Sequence, residues 1–231
     1  MIDARAVVSP RAELAADVEV GPYSVIGPDV VIGKGSWIGP HVVINGPTRI
    51  GADNRIFQFA SIGDAPQDKK YRGEPTRLEI GDRNVIRECV TVHRGTTHDK
   101  GVTRMGSDNL LMAYCHVAHD CVLGNKIIMS NYTGLAGHVI VEDSVVVGAY
   151  GAVHQFCRLG AHAMLSACSK LVQDLPPYFI ADGSPATLRA YNKVGLERSG
   201  FTAEQIDRVR QLYRLLIQIH AVNVTLQNHN F

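Results

Sequence analysis

Between Leu111 and His138 the chain places His116, His119, Asp120 and His138 on a background of aliphatic residues six apart. An imidazole, which titrates near ~6.5 when unperturbed, is well matched to taking a proton from a hydroxyl at neutral pH. A carboxylate beside it can fix the ring tautomer and stabilise the imidazolium. A glycine nearby leaves a backbone N–H open to a developing oxyanion. The same residue types allow two other readings. Imidazoles bind zinc readily, and histidines at an exposed turn need do no more than meet solvent. The base with a backbone oxyanion site is the favoured reading of the three.

The aliphatic spacing identifies what must position these groups. Stepping by six from Ile2 meets Val8, Leu14, Val20 and Ile26, and continues without exception to Ile62. The register resumes at Ile80, Ile86 and Val92, shifts by one, and then runs from Met105 through Leu111, Val117, Leu123, Met129 and Leu135 to Leu171. A strict period of six is neither the 3.6 of a helix nor the 2 of a simple strand; it is the signature of a parallel β-helix. Three hexads make one triangular coil of eighteen residues. The aliphatic residue then faces the prism interior, and the glycine that often follows it is expected to permit the bend at each corner. Cys115, Cys121 and Cys157 share a slot for small residues; with no CxxC among the five cysteines, all are expected to be small core residues rather than metal or disulfide partners.

Coils of eighteen stack residues in columns. His119, Gly137 and Gln155 form one column at one corner, and Asp120, His138 and Phe156 the column beside it, with His154 adjacent. At the spacing of neighbouring strands this cluster spans about 10 Å. Two polar interruptions, residues 63–79 and 93–104, are expected to be functional loops. The repeat should end at the double proline after Leu175. Beyond it, Thr202 and Gln205 read as a capping box, with an amphipathic stripe of Ile206, Val209, Tyr213 and Leu216 over roughly 202–220. We therefore expect a β-helix domain over 1–185 and a C-terminal helical region over 186–231.

Composition narrows the partners. A net charge of +1 with no basic tract argues against nucleic acid. The sequence has no apolar run of about twenty residues and so no transmembrane segment. Its start lacks the basic residues and apolar stretch of a signal peptide, so a cytoplasmic protein is expected.

The motifs HVAHDC (116–121), SIGDAPQDKKYRGEPTRLEIGDRN (61–84), TVHRGT (91–96), GSDNLLM (106–112), LAGH (135–138) and AVHQFC (152–157) resemble the UDP-N-acetylglucosamine O-acyltransferases of lipid A biosynthesis, members of the hexapeptide-repeat acyltransferases. QDLPPYFIADGSPA (173–186) and GLERSGF (195–201) extend the resemblance, in the same order. It implies an all-β solenoid, a left-handed β-helix with a small C-terminal α-helical region. The implied reaction moves a (3R)-hydroxyacyl chain from acyl carrier protein to the 3-hydroxyl of UDP-N-acetylglucosamine, without a cofactor or metal, in a homotrimer with each site between two prisms. By the same resemblance His119 is the base, Asp120 its partner and the Gly137 N–H the oxyanion donor. Asp68, Lys70, His116, His138 and Gln155 match positions that contact the sugar or phosphates. Asn192 and Arg198 match nucleotide positions, and His93 and His154 line the cleft. Ala167, with Ala149 one coil before it, matches the position that sets acyl-chain length.

This sequence departs from the family at Val194, where an acidic residue is expected, and at Ser199, where a second arginine is common. Its helical C-terminal region is also shorter. Arg189, Lys193, Arg208, Arg210 and Arg214 could present a basic surface to an acidic carrier protein. Two neighbouring functions are less well matched. The hexapeptide carbonic anhydrases use two zinc-binding histidines five apart, whereas His116 and His119 are three apart. The sister N-acyltransferases carry a nucleotide-binding domain before their repeats, and here the register starts at Ile2. A 3-amino sugar acceptor stays open, since the same base would serve an amine.

Overall fold

The computed structural model describes the backbone of residues 1–228 and the side chains of residues 1–217. The chain winds as a left-handed parallel β-helix. Short strands, mostly of two residues, stack into three sheets that form the faces of a triangular prism. The first face has nine strands, from Val7–Val8 to Lys170–Leu171; the second has eight, from Glu13–Leu14 to Arg158–Leu159. The third has ten, starting at Glu19–Val20 and ending in a hairpin of Phe179–Gly183 and Ala186–Tyr191. Registers are in step: Thr91 pairs with His116, His116 with Gly134, and Gly134 with Ala152.

The period-six residues fill the prism. Ile26, Ile38, Ile56, Ile62, Ile86, Leu111, Met129 and Leu135 are buried in one continuous core, each such side chain contributing about 1.5–3 kcal/mol. A second internal column is polar. The Asn54 Oδ1 accepts from both the backbone N–H and the amide of Asn84; Asn84 Oδ1 accepts from Asn109 N at 3.0 Å; Asn109 Oδ1 accepts from Ile127 N at 2.8 Å. These fully paired amides satisfy backbone groups at corners where a core aliphatic could not.

The corners are not turned by the glycines. At most corners the residue three after the aliphatic takes the left-handed conformation instead, as at Tyr114 (φ 65°), Asp120 (59°), Lys126 (56°), Tyr132 (61°) and His138 (65°). Glycine is needed for clearance. A Cβ on Gly21 would lie 2.7 Å from the Pro40 nitrogen and one on Gly33 2.7 Å from the Gly51 carbonyl, distances no side chain tolerates. The corner residues give each edge its own chemistry. Tyr114, Tyr132 and Tyr150 stack at 4.9 Å along the edge between the first and third faces. Asp53, Arg83, Asp108 and Lys126 alternate in charge along another. Cys89 and Cys168 are also corner residues, half-buried and exposed, so only Cys115, Cys121 and Cys157 are core residues as expected.

Both interruptions are shorter than the sequence suggests, because strands Arg77–Ile80 and Val102–Met105 resume the ladder early. The loops proper are 65–76 and 94–101. Past the repeat, Ala186–Tyr191 completes the third face antiparallel to Phe179–Gly183, so sheet continues beyond the expected boundary at 185. Helices follow at α1 (Lys193–Arg198), which the sequence reading missed, and α2 (Ala203–Asn228). The capping box forms: Thr202 N donates to Gln205 Oε1 at 2.8 Å, and Gln205 N to Thr202 Oγ1 at 3.3 Å. Ile206 and Val209 seal the end of the prism, and Tyr213 meets Phe179 edge-on at 5.6 Å. Among the described residues no helix is long and apolar enough to cross a membrane.

Candidate active site

Loops 65–76 and 94–101 both leave the prism between the first and second faces, on successive coils. The next corner of that edge carries His119. The loops fold back over it and enclose a cleft of about 810 Å³, lined by Asp68, Lys70, Thr96, His98, Asp99, His119, His138, Gln155 and Phe156 among others. The shared edge of the two insertions is legible in the sequence, since each separates a first-face hexad from a second-face hexad.

His119 Nδ1 lies 2.9 Å from Asp120 Oδ2. The Asp120 side chain is only 1% exposed, against 16% for His119. A buried carboxylate needs donors, and Thr96 supplies them: its backbone N–H donates to Oδ1 at 2.9 Å and Oδ2 at 3.0 Å, and its hydroxyl to Oδ2 at 2.6 Å. Thr103 Oγ1 accepts the Asp120 backbone N–H at 2.8 Å. His119 Nδ1 therefore carries the proton in the neutral ring, which leaves the Nε2 lone pair for the cleft.

Gly137 lies one coil above. A Cβ there would be 2.6 Å from His119 Cε1 and 2.8 Å from Nε2, so glycine is required for the imidazole to occupy its place. Among the described residues the Gly137 N–H makes no hydrogen bond. His138 crosses His119 edge-on at 5.1 Å, stacks on Phe156 at 4.6 Å, and its Nδ1 is 3.0 Å from Asp99 Oδ2. A hydrogen bond from Lys70 N–H holds the Asp68 carboxyl below its usual range.

His116 and His93 stand beside the cleft. His116 Nδ1 is 2.7 Å from Thr91 Oγ1, and the two rings meet edge-on at 5.0 Å. Burial, helped by His93 and His119, pushes His116 down to about 4, and burial lowers His93 as well. Both are neutral polar groups at pH 7. His154 is exposed at the rim, its Nδ1 3.1 Å from the Gln155 carbonyl.

His119, Asp120 and His138 place ligand atoms within 4.8 Å of one another, so their donor set was tested for zinc. The Asp120 oxygens already take three donors from Thr96 and His119 Nδ1, and the two Nδ1 atoms are committed to Asp120 and Asp99. This arrangement orients imidazoles rather than collecting lone pairs on one point.

The remaining expected residues lie elsewhere on the single chain. Asn192 and Arg198 line a second cleft of about 790 Å³ on the third face, over Ile128, Val146, Met164 and Ile180. Asn192 is buried and caps α1: its Oδ1 accepts from Gly195 N at 3.1 Å while its amide donates to the His162 carbonyl at 2.8 Å. Val194 and Ser199 sit on the same rim. Ala149 and Ala167 lie on the tyrosine edge. Of the basic residues near the C-terminus, Lys193, Arg208 and Arg210 are paired with Glu197, Glu204 and Asp207, which weakens them as a carrier surface. The sequence signal for Thr96, Asp99 and His98 as parts of the cleft is only their place in and beside the TVHRGT interruption, whose His93 alone is expected there from the resemblance.

A family profile described as UDP N-acetylglucosamine O-acyltransferase, domain 2, matches residues 174–228. The acyl-[acyl-carrier-protein]–UDP-N-acetylglucosamine O-acyltransferase of Herminiimonas arsenicoxydans is 56% identical over 216 residues, covering 94% of this chain and 82% of that protein. The protein of the same description from Stutzerimonas stutzeri is 51% identical, with 94% and 84% covered. The solved UDP-N-acetylglucosamine acyltransferase of Francisella novicida superposes with a TM-score of 0.92 at 42% identity, over 94% of this chain and 79% of that one. LpxA of Acinetobacter baumannii gives 0.90 at 46%, over 93% and 83%.

Proposed function

Because the chain belongs to the acyl-[acyl-carrier-protein]–UDP-N-acetylglucosamine O-acyltransferase family, we propose that it transfers a (3R)-hydroxyacyl group from acyl carrier protein to the 3-hydroxyl of UDP-N-acetylglucosamine, the first step of lipid A biosynthesis, in the cytoplasm. The observation that carries the reading is the His119–Asp120 pair, 2.9 Å apart, with the imidazole packed against Gly137.

His119 Nε2 takes the proton of the sugar 3-hydroxyl as its oxygen attacks the thioester carbonyl. The tetrahedral oxyanion lies against the Gly137 N–H, a donor that no acceptor among the described residues engages. Collapse expels the thiolate of the carrier's prosthetic arm, which recovers the proton from His119, so the ester forms with no net proton change. Asp120 stabilises the imidazolium in between. Asp68, Lys70, His138 and Gln155 bind the sugar and its phosphates in the cleft; His116, His93 and His154 border it.

The faces support a trimer. The second face carries exposed ion pairs such as Arg77–Glu79–Arg104, which suit solvent. The third face is apolar at Ile128, Val146 and Met164, while the first offers the small residues Gly134 and Ala152. Packing the third face of one prism on the first face of the next sets the Asn192–Arg198 cleft beside a neighbour's His119. The nucleotide is then held by one copy and the chemistry done by another. Ala149 and Ala167 close the acyl groove of such an assembly, and alanine suits a medium-to-long chain.

The test is acyl transfer to UDP-N-acetylglucosamine from a series of hydroxyacyl carrier-protein thioesters, with and without a chelator. Chelator-insensitive O-acylation is expected. Absence of transfer from every thioester overturns the reading.

A further inference from the structure

Loop 94–101 makes its tightest contact with the candidate site at Thr96, which is itself 1% exposed. We propose that Thr96 is a positioning residue that tunes the basicity of His119 through Asp120; the proposal rests on the reading of His119 as the base.

The Asp120 carboxylate receives four contacts, all from donors: the Thr96 N–H to each oxygen, the Thr96 hydroxyl, and His119 Nδ1–H. The backbone N–H can only donate, and with the hydroxyl and His119 Nδ1–H it fixes the carboxylate in a single rotamer. The hydroxyl contact is the shortest of the four, at 2.6 Å, and falls on Oδ2, the oxygen that faces His119. Donation to that oxygen draws off part of the negative potential it presents to the imidazole. Thr96 therefore limits how strongly Asp120 holds a proton on His119, keeping the ring able to give it up within the catalytic cycle.

Other charged or titratable groups also surround His119. His116 and Asp120 come from its own coil, His138 from the next and His93 from the one before; Asp68 and Lys70 come from loop 65–76, and His98 and Asp99 from the same loop as Thr96. A Thr96→Val substitution leaves all of these in place and keeps the backbone N–H, so it isolates the hydroxyl. Removing that donor raises the potential at Oδ2, which stabilises the imidazolium and raises the His119 pKa.

The experiment compares the full-length protein with Thr96→Val and Thr96→Ser by two readouts. One is the pH dependence of kcat/KM for acyl transfer; the other is the NMR titration of the His119 ring nitrogens in the 15N-histidine-labelled protein without substrate. Thr96→Val is expected to lower kcat about threefold with KM nearly constant, and to move both the acidic limb and the His119 titration upward by about half a pH unit. Thr96→Ser is expected to restore all three. A His119 titration that stays put in Thr96→Val overturns the proposal whatever the rate does, as does a Thr96→Ser protein that fails in the same way. Should the valine variant not fold, Thr96→Ala carries the same measurement. If the unaltered protein transfers no acyl group, the functional reading falls, while the NMR titration still decides the role of Thr96.

Discussion

The His119 imidazole occupies the space in which residue 137 would carry its Cβ, 2.6 Å from the ring Cε1. Gly137 thus serves the base by having no side chain, in addition to offering its N–H. Gly137→Ala should swing His119 away from its bond to Asp120 and lower kcat by about 10–10²-fold. Because a ring can move more easily than backbone, the melting temperature should change little. Rate and thermal melt measured on the same preparation separate the two.

His119→Ala should lower kcat by about 10²–10⁴-fold, the usual contribution of a positioned base. His119 is a corner residue outside the aliphatic core, so folding should survive, and circular dichroism with sizing chromatography checks that. Full activity in this variant would show that another group takes the proton.

Much of this was legible from residue types and spacing alone. The period of six reported the prism, its faces and its core, because each buried aliphatic must recur wherever the coil returns to the same face. The columns His119–Gly137–Gln155 and Asp120–His138–Phe156 followed from eighteen-residue stacking, and the His138–Phe156 stack at 4.6 Å bears that out. Three matters were hidden. The glycine after each aliphatic suggested a bend, but clearance between coils selects it, and the bend falls on a later residue such as Tyr114 or Asp120. The Thr96–Asp120 bonds depend on how an irregular loop folds back, and no periodicity reports that. The strand Ala186–Tyr191 escaped because it pairs antiparallel, outside the repeat.

The half-buried His116 beside the cleft makes stability depend on pH. Held at about 4 in the folded chain, His116 refuses a proton that the unfolded chain accepts near 6.5. The unfolded state therefore binds more protons between these values, and stability should fall as pH drops from about 6.5 towards 4. Melting temperatures at pH 7, 6 and 5 should show the decline, and His116→Gln should flatten it. An unchanged slope in that variant would move the effect to other groups.

The internal asparagine column gives a prediction remote from the site. Asn84→Ala leaves the Asn109 N–H and the Gly106 carbonyl without their side-chain partners inside the prism, while the Asn54 Oδ1 keeps the backbone N–H of residue 84. At about 1–3 kcal/mol for each stranded group, offset by partial relaxation, a loss of about 2–4 kcal/mol is expected. Urea denaturation measures it. Asn84→Asp should be no better, because the amide donor to Gly106 is lost with it.

The left-handed corners bear on how such a chain can change over generations. Among the described residues, nineteen non-glycine residues hold a φ between 55° and 72°, a region that β-branched side chains resist and proline cannot enter. Aromatic, acidic, basic, hydroxyl and thiol side chains all occupy these sites; valine, isoleucine, threonine and proline do not. In this chain these positions thus differ widely in charge and size while sharing one backbone shape. The corners are where an edge can acquire new chemistry while the prism behind it stays the same, and the edge bearing His119 has used that latitude.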